Sequence, residues 1–262
     1  MRGRADVTPR TPYLDWPGPI AMAHRGFSRD GLENSMAAFR AAVDLGYAYV
    51  ETDVHATADG VLVAFHDSSL DRVAGRSGAI VNLPWREVET ARIGGVEPIP
   101  RFDELLETWP QLRLNIDCKS DAAVAPLADA IERHRAWDRV CVASFSDRRR
   151  RSVLARLTRP VATTASPVLV GVALAFGRTP LARTPIGAVD CLQIPEHTRK
   201  LPVLTRTLIR QAHRAGAQVH VWTVDEPAAM HRLLDLGVDG LMTDRADLLR
   251  EVLITRGQWH EV

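Results

Sequence analysis

Residues 218–244 read QVHVWTVDEPAAMHRLLDLGVDGLMTD, and this stretch decides the fold. Residues 218–224 and 239–243 are short, β-branched or apolar runs of the kind that is buried on both faces of a sheet. Between them, 226–236 carries a helical pattern that stops at Leu236-Gly237. A strand, a helix and a second strand within 27 residues is one turn of an alternating β/α architecture.

The alternation extends back through the chain. Strands are predicted at 20–24, 49–55, 113–118, 139–145, 161–165 and 190–194. Helices are predicted near 122–137, 147–157, 205–215 and 246–256, and an earlier one from Asn34, read as its N-cap, to Leu45 before Gly46. Eight strands separated by helices are what a (β/α)₈ TIM barrel requires. An open doubly wound sheet is the alternative, but no G-x-G-x-x-G follows a strand and no linker halves the pattern. A single barrel over 19–262 is expected, preceded by a poorly ordered arm at 1–18, where three prolines follow position 7.

Composition excludes several classes. The 262 residues are 46% hydrophobic and 25% charged, with a formal net charge of +1, so no global pull toward nucleic acid or acidic lipid exists. The longest apolar run, Pro167 to Gly177, falls well short of the ~20 residues that cross a bilayer. The N-terminus lacks the apolar stretch of a signal peptide. Cys118, Cys141 and Cys191 form no C-x-x-C, which suits reduced thiols. A soluble, cytoplasmic protein is expected, its oligomeric state left open. Lysine occurs only at 119 and 200 in an arginine-rich chain, so Lys119 at the end of a strand stands out.

One segment breaks the alternation. YVETDVH is followed by ATADG and then VLVAFHD, a second strand with no helix between. Asp59-Gly60 signals a two-residue hairpin turn, whose pairing would sum to about 119 and set His66 opposite Asp53. A slip of one residue would still leave His66 beside the Glu51/Asp53 edge.

In a barrel of this type the C-terminal strand ends form the catalytic face. They present His24 and Arg25, then Glu51 and Asp53, then Asp117 and Lys119, and later Trp222. Residues two apart in a strand share a face, so Glu51 pairs with Asp53 and Asp117 with Lys119. Three converging carboxylates repel unless a cation joins them. Oxygen donors favour Mg²⁺ or Ca²⁺, and a nearby histidine keeps Mn²⁺ open. Arg25 and Lys119 would clamp an anion such as phosphate. His24 and His66 would serve as a general acid–base pair, and together these groups suit metal-assisted cleavage of a phosphate ester. Gly26 would let the backbone turn away without crowding the substrate.

The segments AHRG, ENS, ETDV, VAFHD, NIDCK, VWTVD and GVDGLMTD occur in this order over roughly 19–250. Together they resemble the glycerophosphodiester phosphodiesterases. The resemblance implies a (β/α)₈ barrel that uses a divalent metal to cleave glycerophosphodiesters to glycerol phosphate and an alcohol. It casts His24 and His66 as the acid–base pair, Arg25 and Lys119 as phosphate ligands, and Glu51, Asp53 and Asp117 as metal ligands. It suggests Trp222 as a wall for the glycerol or the alcohol, and Glu33 as a support for the metal site or the substrate glycerol. Two features depart from the family pattern. Aspartate stands at 117 where glutamate is usual, and ENS stands where PENT is usual, with Leu32 in place of the proline.

Three rivals accompany this reading. SPVLVGVALAFG (166–177) follows the fifth strand and reads either as an apolar lip for a lysophospholipase D-type substrate, with peripheral lipid contact, or as a helix packed against the barrel. A catalytically inactive phosphodiester-binding barrel would not need two histidines. DRRRRSVLARL (147–157) reads as a helix with a solvated arginine face rather than a nucleic-acid site, because no aromatic platform is interleaved.

Overall fold

The computed structural model describes residues 8–28, 31–175, 186–198 and 201–261. Eight parallel strands form the barrel: β1 (Ile20–His24), β2 (Tyr49–Ala56), β4 (Arg113–Cys118), β5 (Val140–Ala143), β6 (Ala162–Thr163), β7 (Cys191–Pro195), β8 (Gln218–Trp222) and β9 (Gly240–Thr243). The ninth strand of this sheet, β3 (Leu62–Ala64), pairs antiparallel with β2. The sheet runs β6-β5-β4-β2-β1-β9-β8-β7, and a parallel bridge between Thr164 and Cys191 joins its two ends. The barrel and its hairpin return are therefore present.

The hairpin register sums to 118 rather than 119: Val54 faces Ala64 and Ala56 faces Leu62. Thr57 donates its N–H to Val61 O (3.0 Å), and Gly60 donates to Thr57 O (3.0 Å) with φ +83°. That is a three-residue loop whose last residue is left-handed, a glycine bulge that adds one residue to the turn. Asp53 consequently faces Phe65, whose N–H donates to Asp53 O (2.9 Å), and His66 lies one position beyond.

Around the barrel stand α1 (Met36–Asp44), α2 (Phe102–Thr108), α3 (Val124–Arg133), α4 (Asp147–Leu154), α5 (Pro167–Ala175), α6 (Arg206–Arg214), α7 (Pro227–Leu236) and α8 (Ala246–Thr255). Three begin on a hydroxyl cap, from Ser35, Ser146 and Thr205. Ser35 Oγ accepts from Ala38 N (3.1 Å), so the α1 cap is Ser35 and not Asn34. The helix α2 is not among the helices predicted above, although Phe102, Leu105 and Leu106 recur at helical spacing and are buried. On α4, the expected solvated arginine face holds only in part. Arg150 is buried, donating to Asp147 Oδ1 (2.7 Å) and Thr163 Oγ1 (3.1 Å).

The apolar side chains divide three ways. The largest cluster lies between strands and helices, and a smaller one fills the barrel's lower interior with Met22, Tyr49, Cys141 and Cys191. A third, including Val63, Phe65, Leu70 and Ile80, lies under the hairpin return. Part of the expected N-terminal arm closes the barrel floor. Pro12–Leu14 form a 3₁₀ turn in which Tyr13 and Leu14 are buried. Tyr13 O accepts from Tyr49 Oη (2.6 Å) and Arg113 Nη1 (3.0 Å), and Leu14 O accepts from Gln218 Nε2 (3.2 Å). Those bonds satisfy carbonyls of an irregular segment that would otherwise be buried without partners. Residues 1–7 lie outside the described residues. The three cysteines are buried free thiols. Among the described residues, no helix is long and apolar enough to cross a membrane.

Candidate active site

Strand register builds the site. His24 stands level with Glu51 across β1 and β2. Glu51 stands level with Asn115, and Asp53 with Asp117, across β2 and β4. His24 ends β1 and Asp117 lies one residue from the end of β4, whereas Glu51, Asp53 and Asn115 lie within their strands, β2 running on into the hairpin. All open on one cleft of about 990 Å³. Of the nine residues singled out from sequence, all but Glu33 line this cleft, His66 and Trp222 included.

The carboxylates are poorly solvated and crowd one another. Burial and the neighbouring Asp53 push Glu51 up to about 8. Burial also raises Asp117, against the lowering effect of Lys119. Lys119 Nζ lies between Asp53 Oδ1 (2.9 Å) and Asp117 Oδ2 (2.8 Å). Among the described residues, no three His, Cys, Asp or Glu side chains close on a common point that could hold a metal. Asp117 Oδ1 is nonetheless buried without a hydrogen-bond partner. An orphaned carboxylate oxygen and a protonation-prone Glu51 mark a site short of positive charge, and its all-oxygen donor set fits a hard divalent cation.

Both histidines are held by a carboxylate at Nδ1. His24 Nδ1 is 2.7 Å from Asp244 Oδ1, and its Nε2 is 3.7 Å from Glu51 Oε2. Burial alone would lower His24, but the Asp244 bond and the Glu51 charge outweigh it and leave the ring raised above its ordinary value. His66 Nδ1 is 2.6 Å from Asp67 Oδ1. A carboxylate at Nδ1 keeps the proton there and leaves Nε2 to exchange one. His55, buried on β2, bonds through Nε2 to His66 O (3.1 Å) and anchors the backbone of that residue. Asp244 ends the GVDGLMTD segment, directly after β9. Asp225 accepts from Thr243 Oγ1 (3.0 Å) and Asp244 N (2.8 Å), and so holds the Asp244 turn.

Arg25 adopts φ +54°, a left-handed conformation that costs a non-glycine residue about 1 kcal/mol or more. Its N–H donates to Glu51 Oε2 (3.2 Å), its Nη1 to Glu33 Oε1 (2.9 Å), and its Nε lies 3.2 Å from Asp53 Oδ2. Gly26, at φ +82°, packs against α1. An added Cβ would come within 2.6 Å of the Ala38 carbonyl carbon. Close backbone packing, not room for substrate, therefore demands glycine. Asn34 also departs from expectation: at φ +57°, its Nδ2 donates to Asp53 Oδ2 (3.1 Å) and its Oδ1 accepts from Thr52 Oγ1 (2.7 Å). Glu33 is drawn away from the cleft and binds Arg25 and Arg72.

The opposite wall is largely apolar. Trp222 makes an edge contact with Phe145 at 6.3 Å between centroids, and Lys119 Nζ lies 5.5 Å from the Phe145 ring centroid. Phe145 is 61% exposed, because the strand expected over 139–145 ends at Ala143 and leaves this ring beyond it. Asn115 and Gln193 exchange amide bonds (3.1 and 3.0 Å) across the cleft floor. On α5, Ala173 is buried while Pro167, Val170, Gly171 and Leu174 line the cleft, so the helix both packs and forms a rim.

The TIM barrel thus gathers three carboxylates, two histidines and two cations at one cleft. The sequence model of the glycerophosphoryl diester phosphodiesterase family matches residues 24–248, and the chain belongs to that family of enzymes. It is 47% identical to the "Probable glycerophosphodiester phosphodiesterase 2" of Mycobacterium tuberculosis, over 96% of this chain and 97% of that protein. The crystal structure of a glycerophosphodiester phosphodiesterase from Agrobacterium tumefaciens superposes with a TM-score of 0.74 at 24% identity, covering 89% of this chain and 99% of that one. An Oleispira antarctica phosphodiesterase in complex with the product sn-glycerol-3-phosphate superposes with a TM-score of 0.74 at 22% identity, covering 90% and 97%. At these identities the two structures establish the fold.

Proposed function

We propose that the protein hydrolyses glycerophosphodiesters to glycerol 3-phosphate and an alcohol, with His24 and His66 as the acid–base pair and a divalent cation on Glu51, Asp53 and Asp117. The observation that carries the proposal is the shared cleft: two carboxylate-held imidazoles open onto the same space as three buried carboxylates and two cations. The family membership and the 47% identical relative support the substrate class.

Arg25 and Lys119 bind the non-bridging phosphoryl oxygens. The neighbouring glycerol hydroxyl attacks phosphorus and yields its proton to one imidazole, and the other imidazole protonates the departing alcohol. Water then opens the cyclic phosphate with the roles reversed. A bound Mg²⁺, Ca²⁺ or Mn²⁺ supplies charge stabilisation for the phosphoryl oxygens. Trp222 and Phe145 offer apolar faces to the glycerol carbons or to the alcohol.

The test is an assay of glycerophosphocholine, glycerophosphoethanolamine and glycerophosphoinositol with each of the three cations. Release of glycerol phosphate is expected, and its loss in His24→Ala and His66→Ala with the fold retained. No release from any of them, or near-normal turnover by either histidine variant, would remove this reading.

A further inference from the structure

Arg72 lies on a single-turn helix, Asp71–Ala74, in the segment after the hairpin, and it does not line the cleft. Its one guanidinium grips two carboxylates from separate loops. Nε donates to Asp67 Oδ2 (2.6 Å) and Nη2 to Asp67 Oδ1 (3.1 Å). Nη1 donates to Glu33 Oε2 (3.0 Å) and Nη2 to Glu33 Oε1 (2.6 Å). Each carboxylate then turns its remaining capacity inward. Asp67 Oδ1 meets His66 Nδ1 (2.6 Å), and Glu33 Oε1 accepts from Arg25 Nη1 (2.9 Å).

From this double fork we infer that Arg72 is a positioning residue, which couples the placement of the His66 imidazole to that of the Arg25 guanidinium from outside the cleft. The inference rests on the functional reading above. Only a planar, five-donor group can hold two carboxylates edge-on at once; an ammonium offers charge without that geometry. The Arg72 side chain is 49% exposed, so its pairs add little to stability. Their effect is directional. The Arg72 hydrogen bonds hold Asp67 down at about 2 and fix the direction in which its Oδ1 meets His66. Glu33, which burial would raise, is kept below its ordinary value by Arg72 and Arg25. Without Arg72, two carboxylates face each other with one fewer cation, and His66 and Arg25 each lose a fixed partner.

The experiment measures kcat and KM of Arg72→Gln, Arg72→Lys and Arg72→Ala on glycerophosphocholine with Mg²⁺, beside His66→Ala. Arg72→Gln is expected to lower kcat roughly 10- to 100-fold, the usual consequence of removing a group that orients a reacting one, with a smaller rise in KM as Arg25 loosens on the phosphate. Arg72→Lys should recover only part of that loss. Millimolar methylguanidinium should restore turnover to Arg72→Ala, because the site is half open to solvent, and should leave His66→Ala inactive. Should Arg72→Gln prove unstable, the charge-preserving Arg72→Lys still decides. Near-normal kcat in folded Arg72 variants, or a loss confined to KM, would overturn the inference while an inactive His66→Ala kept the functional reading intact. A fully active His66→Ala would overturn both.

Discussion

His24 Nδ1 and Asp244 Oδ1 lie 2.7 Å apart, joining the first barrel strand to the turn after the last, 220 residues later in the chain. The contact exists because β1 pairs with β9, so the ends of the chain's alternating pattern meet at the site. Asp244 fixes which ring nitrogen of His24 carries the proton.

Asp244→Asn keeps the shape and removes the charge. Turnover should fall roughly 10²- to 10³-fold, within the range that acid–base groups contribute, with KM nearly unchanged. Steady-state kinetics check this; a kcat within twofold of wild type would show that His24 needs no orienting carboxylate.

The pH dependence of stability carries a sign. Glu51 has an ordinary value of 4.5 and sits at about 8 in the metal-free fold, so the native state keeps a proton that the unfolded chain releases between those values. Stability of the metal-free protein should therefore fall as pH rises from about 5 to 8. The raised His24 acts in the same direction, losing its favourable contribution as pH climbs through its folded value. Thermal unfolding in a chelator should show the decline, and Glu51→Gln should flatten it.

Cation addition should reverse that decline. Binding requires an ionised Glu51, so the rise in Tm on adding Mg²⁺ or Ca²⁺ should grow with pH, and titration calorimetry should detect proton release. Asp117→Asn should weaken both effects. Equal shifts at pH 5 and pH 8 would place the ion elsewhere.

Gly26→Ala tests packing rather than chemistry. A left-handed alanine pressed against the α1 backbone at Ala38 should cost about 2 kcal/mol or more in urea unfolding. A neutral result would mean that the β1–α1 turn is free to shift.

Asn34→Gly keeps the left-handed backbone but deletes the amide that bridges Thr52 and Asp53. Removing it leaves buried groups without partners and should destabilise by about 1–3 kcal/mol. Chemical denaturation measures the loss; an unchanged midpoint would show that Asp53 is held sufficiently by Arg25 and Lys119.

Much of this site was legible because barrel topology turns strand ends into neighbours. ETD and NIDCK needed only the period of two and a parallel register to bring Asp53 beside Asp117. Asn34 was harder. A polar residue before an apolar helical run reads as a cap, and only the positive φ with Ser35 behind it shows otherwise. The hairpin register failed by one residue because a glycine after Asp59 serves two-residue and three-residue loops alike. Tyr13 and Leu14 sat in a proline-rich arm with no periodicity, and their burial depends on a cavity made by distant strands.

By itself the sequence determined the alternation of strand and helix, the barrel it implies and the identity of the groups at its mouth, because periodicity and turn chemistry are local properties of the chain. Tertiary structure alone decided that Lys119 stands between Asp53 and Asp117, that Asp244 orients His24, and that Arg72 joins Glu33 to Asp67. Each of those depends on the reach and direction of side chains from segments that meet only when the barrel closes, and no local pattern encodes them.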